Sequence, residues 1–343
     1  MRTLITGGAG FIGSNLAARL IARGHAVTIF DNLSRPRTAY NLGWLQGLGE
    51  HGPGTLTFVE GDLRDFSALE QLAPKADTIV HLAGQVAVTT SVQNPRDDFM
   101  VNALGTLNVL EAARLAPQQP AVIYSSTNKV YGSMEEVAIV EEPTRYRYRD
   151  LPHGIDERFP IDFHSPYGCS KGAGDQYVRD YARIYGLRTT VFRQSTIYGP
   201  RQFGVEDQGW AAHFAIATLM GRPITIYGDG KQVRDMLYID DLIDLYELAI
   251  ANNERTVGQI YNVGGGMAHT ISIWQEFQPL ISHLAGHTVQ PTSHGEWRPG
   301  DQQVCVLDTR KVERDLGWQP KTSFPTGMQR LWDWIVEHRD LFV

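Results

Sequence analysis

Cysteine is nearly absent: Cys169 and Cys305 are the only two in 343 residues. One distant pair builds neither a disulfide framework nor a metal centre, and it suits a reducing cytoplasm. A basic excess is lacking as well. Lys and Arg total 31 against 38 Asp and Glu, a net charge of −7, with no basic block. This argues against nucleic acid and anionic membrane as partners. No apolar run approaches the ~18 residues that cross a bilayer. The first residues carry no signal-peptide pattern, because Gly7 to Gly13 interrupt their apolar stretch. Internal repeats and low-complexity tracts are missing too. What remains, 42% hydrophobic and 20% charged, is ordinary for a globular protein and long enough for two lobes or one large α/β domain.

The strongest positive signal is at the start. Arg2 to Thr6 reads as a short buried strand, Gly7, Gly10 and Gly13 follow at G-x-x-G-x-x-G spacing, and an apolar helical run then begins at Phe11 and Ile12. A strand turning sharply into a helix aims unpaired N–H groups at one point, where the helix dipole favours a pyrophosphate. Glycine there lets the backbone approach the ligand. A glycine pattern alone also describes a plain structural loop, so its context decides. A second strand, Ala26 to Phe30, ends at Asp31, an acid placed to accept hydrogen bonds from an adenosine ribose. That favours NAD over NADP. Arg35 and Arg37 support the contrary reading, contact with a 2′-phosphate.

Strand and helix patterns keep alternating. Thr55 to Val59 reads as a strand ending at Gly61-Asp62, Phe66 to Leu72 as a short helix, and Asp77 to Leu82 as a strand followed by Ala83-Gly84-Gln85. Asn102 to Leu115 has helical spacing, and Ala121 to Tyr124 reads as a strand ending in Ser125-Ser126-Thr127. The pattern predicts an α/β fold, a Rossmann-type doubly wound parallel sheet. Asp31, Asp62, Ala83 and Thr127 then fall at carboxyl ends of strands and line one crevice. Residues 133–164 read as an excursion loop near the active site, Ser165 to Tyr185 as a helix, and Thr189 to Phe192 as a strand. From Tyr198 a glycine-punctuated composition suits a smaller C-terminal substrate lobe. A helix over Leu237–Ala251 and a strand over Gln259–Val263 return to the main sheet, and helices start at Ile271 and Thr326. The expected division is a dinucleotide-binding domain over 1–193 with returning segments at about 235–265, and a substrate lobe from 194–234 and 266–343.

Tyr167-Gly168-Cys169-Ser170-Lys171 places a phenol and an ammonium one helical turn apart on one face. A phenol titrates near ~10 in water. A neighbouring cation lowers that value toward working pH, so such a tyrosine can take a hydroxyl proton while the adjacent carbon gives up hydride. Alone, a Tyr-x-x-x-Lys pair is ordinarily a solvated helix face; the upstream glycine loop gives it a function. Thr127, at the end of a strand, can hydrogen-bond the reacting oxygen, although a cap or turn residue is the plainer reading.

Together, the glycine loop, the acid ending the second strand, the Ser-Ser-Thr and the Tyr-x-x-x-Lys resemble the extended short-chain dehydrogenase/reductases that act on nucleotide sugars. The resemblance covers essentially the whole chain. Gly228 to Asp235 and Arg298-Pro299-Gly300-Asp301 look like that family's two diphosphate-clamping segments, a task that suits permanently charged, bidentate guanidinium groups. The resemblance implies catalysis by Thr127, Tyr167 and Lys171. It implies NAD binding by Gly7, Gly10, Phe11, Ile12, Gly13, Asp31, Asn32, Arg35, Asp62, Leu63, Leu82, Ala83, Gln85 and Asn102, with Tyr167 and Lys171. For the nucleotide-diphosphate sugar it implies Gln85, Thr127, Asn128, Lys129, Gln194, Gln202, Arg234, Arg298 and Asp301, and it implies a homodimer or homotetramer. Sugar 4,6-dehydratases of this fold place an Asp-Glu pair just after the threonine for elimination; Asn128 and Lys129 stand here instead. Longer stretches, His81 to Ala87, Ser125 to Gly132 and Asp162 to Gly172, resemble the nucleotide-sugar 2-epimerases most. A UDP-sugar 4-epimerase using the same triad is the alternative, and a non-catalytic dinucleotide sensor is disfavoured by the presence of Tyr167 and Lys171.

Overall fold

The computed structural model describes residues 1–298 and 300–343. In chain order the first half comprises β1 (Arg2–Thr6), α1 (Phe11–Ala22), β2 (Ala26–Asp31), α2 (Thr38–His51), β3 (Thr55–Glu60), α3 (Phe66–Leu72), β4 (Thr78–His81), α4 (Val88–Gln93) and α5 (Pro95–Phe99). A wide π turn, Met100–Leu104, leads into α6 (Gly105–Leu115), followed by β5 (Ala121–Thr127). Then come a small hairpin of β6 (Ile139–Glu141) and β7 (Tyr146–Tyr148), α7 (Ser165–Tyr185), β8 (Thr189–Gln194), β9 (Thr196–Tyr198), α8 (Trp210–Met220), β10 (Thr225–Tyr227) and β11 (Val233–Tyr238). The remainder is α9 (Ile239–Ala251), β12 (Gln259–Val263), β13 (Thr270–Ser272), α10 (Phe277–Ala285), β14 (Ser293–Gly295), β15 (Val304–Cys305), α11 (Arg310–Leu316) and α12 (Phe324–Glu337).

Seven strands form the main sheet in the order β12-β8-β5-β4-β1-β2-β3. β1 pairs in parallel with β2 and with β4, β2 with β3, and β4 with β5. The order reverses between β1 and β4, the switch point where open α/β sheets bind ligands beyond the strands' carboxyl ends. Leu4, Ile79, Leu110, Val122, Tyr124 and Val178 belong to the apolar cluster that packs the helices onto this sheet. Each fully buried aliphatic side chain there contributes about 1.5–3 kcal/mol relative to exposure.

The chain forms two compact units. The first comprises 1–130, 165–193 and 243–261; the second comprises 131–164, 194–242 and 262–343. The 131–164 excursion therefore groups with the second unit, whereas its position in sequence suggested the first. In the second unit, β11 is buried along its whole length. It pairs with β9 and β15 in parallel and with β13 antiparallel.

Residues 38–51, for which the sequence pattern predicts no element, form α2; Gly43, Gly47 and Gly49 weaken its helical signal, and only four of its residues are buried. Two local expectations are corrected. Leu237 and Tyr238 finish β11, and the helix begins at Ile239. Ile271 lies in β13 and pairs with Arg234; the helix begins at Phe277. Among the described residues no helix is long and apolar enough to cross a membrane.

Candidate active site

The glycine loop is built to fit one conformation. Gly7 sits at φ +70°, and a Cβ there would lie 2.7 Å from the Ala83 backbone. A Cβ on Gly13 would lie 2.7 Å from Gly8 Cα and would also strike the Gly7 carbonyl. The loop is thus closed against the end of β4, where Leu82 donates its N–H to the Thr6 carbonyl at 3.1 Å. Gly10, the N-cap of α1, differs: a Cβ there would meet only the Gly7 carbonyl, at 3.1 Å. The helix start behind Gly10 exposes the N–H groups of Phe11, Ile12 and Gly13, which lack intrahelical partners. That cradle fits a pyrophosphate.

Asp31 anchors the neighbouring strand end. One carboxylate oxygen accepts the Ala9 N–H at 3.0 Å and the other the Leu33 N–H at 2.9 Å. Burial pushes the Asp31 carboxyl up, against the two backbone donors and Arg35. Each oxygen keeps a free lone pair, which fits two ribose hydroxyls. Arg35 is exposed and lies in the field of both Asp31 and Tyr167. Asn32 donates to Asp62 at 2.9 Å, and the Arg64 guanidinium holds the Asp62 carboxyl down at about 2. Leu63 is core, packed so closely on α6 that Gly105 has no room for a side chain.

α7 carries Tyr167 and Lys171. Its first residue, Ser165, adopts the left-handed region at φ 66°, and the Ser165 hydroxyl accepts the Gly168 N–H at 3.3 Å. Tyr167 is 8% exposed, and the Thr127 hydroxyl at the end of β5 works to hold its phenol down, while donating to the Asn128 amide oxygen at 3.2 Å. Thr127 also accepts the Lys129 N–H at 3.2 Å. Lys171 donates to the Ser125 carbonyl at 2.6 Å and lies 4.2 Å above the Tyr124 ring. Burial pushes the Lys171 ammonium down to about 7, against Asp175 and Asp98. The expected lowering of the phenol is not what the protein's own groups produce. Burial pushes Tyr167 up to about 12, outweighing Thr127 and Arg35. One of the three Lys171 ammonium protons goes to the Ser125 carbonyl rather than to the phenol.

Gln85 also departs from expectation. Its side-chain amide binds the Ala87 backbone and donates to Asp98 at 3.0 Å, so it faces the protein. Asn102 accepts the Gln85 N–H at 2.9 Å and donates to Ser170 at 3.1 Å. Asn128 and Lys129, in a 3-10 turn beyond Thr127, are half-buried.

Within the second unit, Arg234 is 8% exposed and donates to Asp301 at 2.7 Å and to its neighbour's carbonyl at 2.8 Å. Arg298 lies 4.1 Å from the Tyr227 ring centre, donates to the Glu206 carbonyl at 3.1 Å, and pairs with Asp207 at 3.4 Å. The Asp301 N–H bonds the Arg298 carbonyl, so the two arginine segments meet at Asp301. Gln194 and Gln202 are both 6% exposed; Gln202 donates to the Ile197 carbonyl at 3.2 Å. Pro299 lies outside the described residues.

Sequence reasoning missed the polar groups behind the triad. Asp175 accepts Ser126 at 2.7 Å and forms a fully buried ion pair with Arg193 at 2.9 Å, pinning α7 to β8. His81 sits between Thr6 at 2.7 Å and Thr106 at 3.0 Å. The spacing of Lys171 and Asp175 on one helical face was the available signal.

This arrangement, a nucleotide cradle and a hydroxyl–phenol pair backed by a buried lysine at strand ends of a doubly wound sheet, has counterparts. Residues 4–331 match the GDP-mannose 4,6 dehydratase family, and the chain belongs to that family, the nucleotide-sugar epimerases and dehydratases among the extended short-chain dehydrogenase/reductases. It is an enzyme of that class. The chain is similar to the CDP-paratose 2-epimerase of Salmonella typhi, with 46% identity over 341 residues that cover 97% of this chain and 99% of that protein. Its structure resembles a UDP-glucose 4-epimerase of Thermus thermophilus in complex with NAD, with TM-score 0.80, 32% identity, and coverage of 98% and 100%. It also resembles a dTDP-glucose 4,6-dehydratase of Streptomyces venezuelae with NAD bound, with TM-score 0.82, 30% identity, and coverage of 99% and 98%.

Proposed function

We propose that the chain is an NAD-dependent nucleotide-sugar 2-epimerase that inverts C2 of a CDP-hexose of the paratose/tyvelose type. The observation that carries this reading is the Thr127 hydroxyl set against the buried Tyr167 phenol and followed by Asn128 and Lys129. The pair can move one hydroxyl proton, while no carboxyl group follows Thr127 to run an elimination. The likeness to a CDP-paratose 2-epimerase supports the choice of carbon and base.

The cradle at Gly7, Gly10 and Gly13 would hold the NAD pyrophosphate, and Asp31 its adenosine ribose. When bound, NAD supplies hydride removal from a carbon and return to it. Tyr167 takes the C2 hydroxyl proton and gives it back after the keto sugar has turned over. Thr127 steadies the oxygen as it changes charge. Lys171 supplies buried positive charge beside the phenol and hydrogen-bonding capacity toward the nicotinamide ribose. Arg234 and Arg298 hold the diphosphate, so the nucleotide stays fixed while the sugar rotates. A redox-neutral cycle needs no exchange of cofactor between turnovers.

Incubation with CDP-, GDP-, UDP- and dTDP-sugars, read by NMR, tests this reading. Inversion at C2 of a CDP-hexose is expected. Inversion at C4 of a UDP-sugar as the main reaction assigns the chain to the 4-epimerases instead.

A further inference from the structure

The carboxylate of Asp98 is 1% exposed at the end of α5. Three donors converge on it: the Ser170 hydroxyl at 2.5 Å, the Gln85 amide at 3.0 Å and the Asn102 amide at 3.1 Å. Burial and the neighbouring Asp97 push the Asp98 carboxyl up, and Ser170, Gln85 and Lys171 oppose that shift; a carboxylic acid would need an acceptor for its proton, so a shell of donors is complementary to the ionised form. Ser170 lies in the α7 turn between Tyr167 and Lys171, and its hydroxyl also lies 3.2 Å from the Tyr167 carbonyl oxygen. Asn102 sits in the π turn, a helix defect that frequently accompanies functional sites. Its amide donates to the Gln85 carbonyl at 3.0 Å. Asp98 thus joins the loop after β4, the π turn and the catalytic turn of α7.

We propose that Asp98 is a positioning residue: it clamps the Tyr167–Lys171 turn through Ser170 and supplies the counter-charge for the buried Lys171 ammonium. The proposal rests on the reading of Tyr167 and Lys171 as the proton-handling pair. The groups facing Lys171 are few. Asp175 approaches from α7, but it is committed to Arg193 and Ser126. His81 on β4 is held neutral by burial, its value pushed down to about 3. From β5 come the Tyr124 ring and the Ser125 carbonyl. Tyr167 faces Thr127 and Arg35. Asp98, unlike Asp175, is held only by neutral donors, and its charge adds to that of Asp175 in favouring the lysine's charged form. Removing that charge makes Lys171 release its proton at lower pH. It also lowers the phenol, which Asp98 raises.

The test is Asp98→Asn in the full chain loaded with NAD. The chain has six lysines, so Lys171 can be titrated directly by NMR of 13Cε-labelled lysine and assigned by its loss in Lys171→Met. The Lys171 midpoint should fall by about one pH unit, with the other lysines unmoved. Both limbs of the pH–rate profile should move to lower pH, and kcat should drop with little change in KM. Ser170→Ala removes one donor from Asp98 and should move the midpoint the same way by less; it serves if Asp98→Asn does not fold. An unmoved Lys171 midpoint in a folded variant overturns the proposal, as does a lower rate with an undisplaced profile. The lysine titration requires no turnover, so failure of the sugar assignment leaves it readable.

Discussion

Thr127 at the end of β5 faces Tyr167 on α7 inside the first unit, and its hydroxyl works to hold the phenol down. The strand and the helix are remote in sequence, so only the folded sheet brings the hydroxyls together. Tyr167→Phe keeps the ring and deletes the proton carrier. Turnover should fall at least ~10²-fold while sugar-nucleotide KM changes little. A rate near that of the unmodified enzyme would move the acid/base role to another group.

The three loop glycines should respond differently to a methyl group. Gly7→Ala and Gly13→Ala force backbone clashes and should lower Tm. Gly10→Ala meets one carbonyl at 3.1 Å, so the fold should survive nearly unchanged. Its methyl intrudes on the cradle, and the nucleotide released on denaturation should drop several-fold. Full NAD content in Gly10→Ala would place the pyrophosphate elsewhere. Release of NADP(H) as the main species would reverse the reading of Asp31.

His81 gives the protein an acid limit. Its folded-state value, about 3, lies below the ordinary 6.5 because it is buried. Between those values the unfolded chain binds the extra proton, so stability rises with pH across the window and is lost on acidification. The loss is about 1.4 kcal/mol per pH unit at full effect. Urea midpoints measured from pH 7 to pH 4 should decline less steeply in His81→Gln than in the parent. Equal slopes would remove His81 from the acid response.

Arg298 is partly exposed and stacked on Tyr227, so Arg298→Ala should leave Tm nearly unchanged. Binding of CDP alone should weaken about tenfold or more, as expected for a lost charge-assisted hydrogen bond. Unchanged CDP affinity with weaker sugar binding would contradict its place on the diphosphate.

Local pattern made the first unit readable. β1, α3, α7 and β12 begin and end where the sequence pattern predicts: β1 and β12 are buried after their first residue, and α7 buries Ser170, Lys171 and Asp175 along with Val178 and Tyr181. α2 escaped because glycines dilute its stripe, and β13 because three residues cannot establish a period. The loop glycines, Thr127, Tyr167 and Lys171 were legible as motifs with a mechanism. The Asp98 cluster was not, since Gln85, Asp98, Asn102 and Ser170 meet only through α5, the π turn and α7. The phenol's direction was misjudged for a related reason: a motif gives the charges nearby, while burial, which outweighs them at Tyr167, belongs to the packed structure.

In the proposed reaction Tyr167 and Thr127 serve a reversible oxidation at C2. A CDP-hexose carrying deuterium at C2 tests it most directly. Product inverted at C2 should keep the deuterium there, because hydride leaves and returns within one site. Loss of the label to water would contradict the oxidation itself, and retention at an unchanged C2 with inversion at C4 would contradict the choice of carbon.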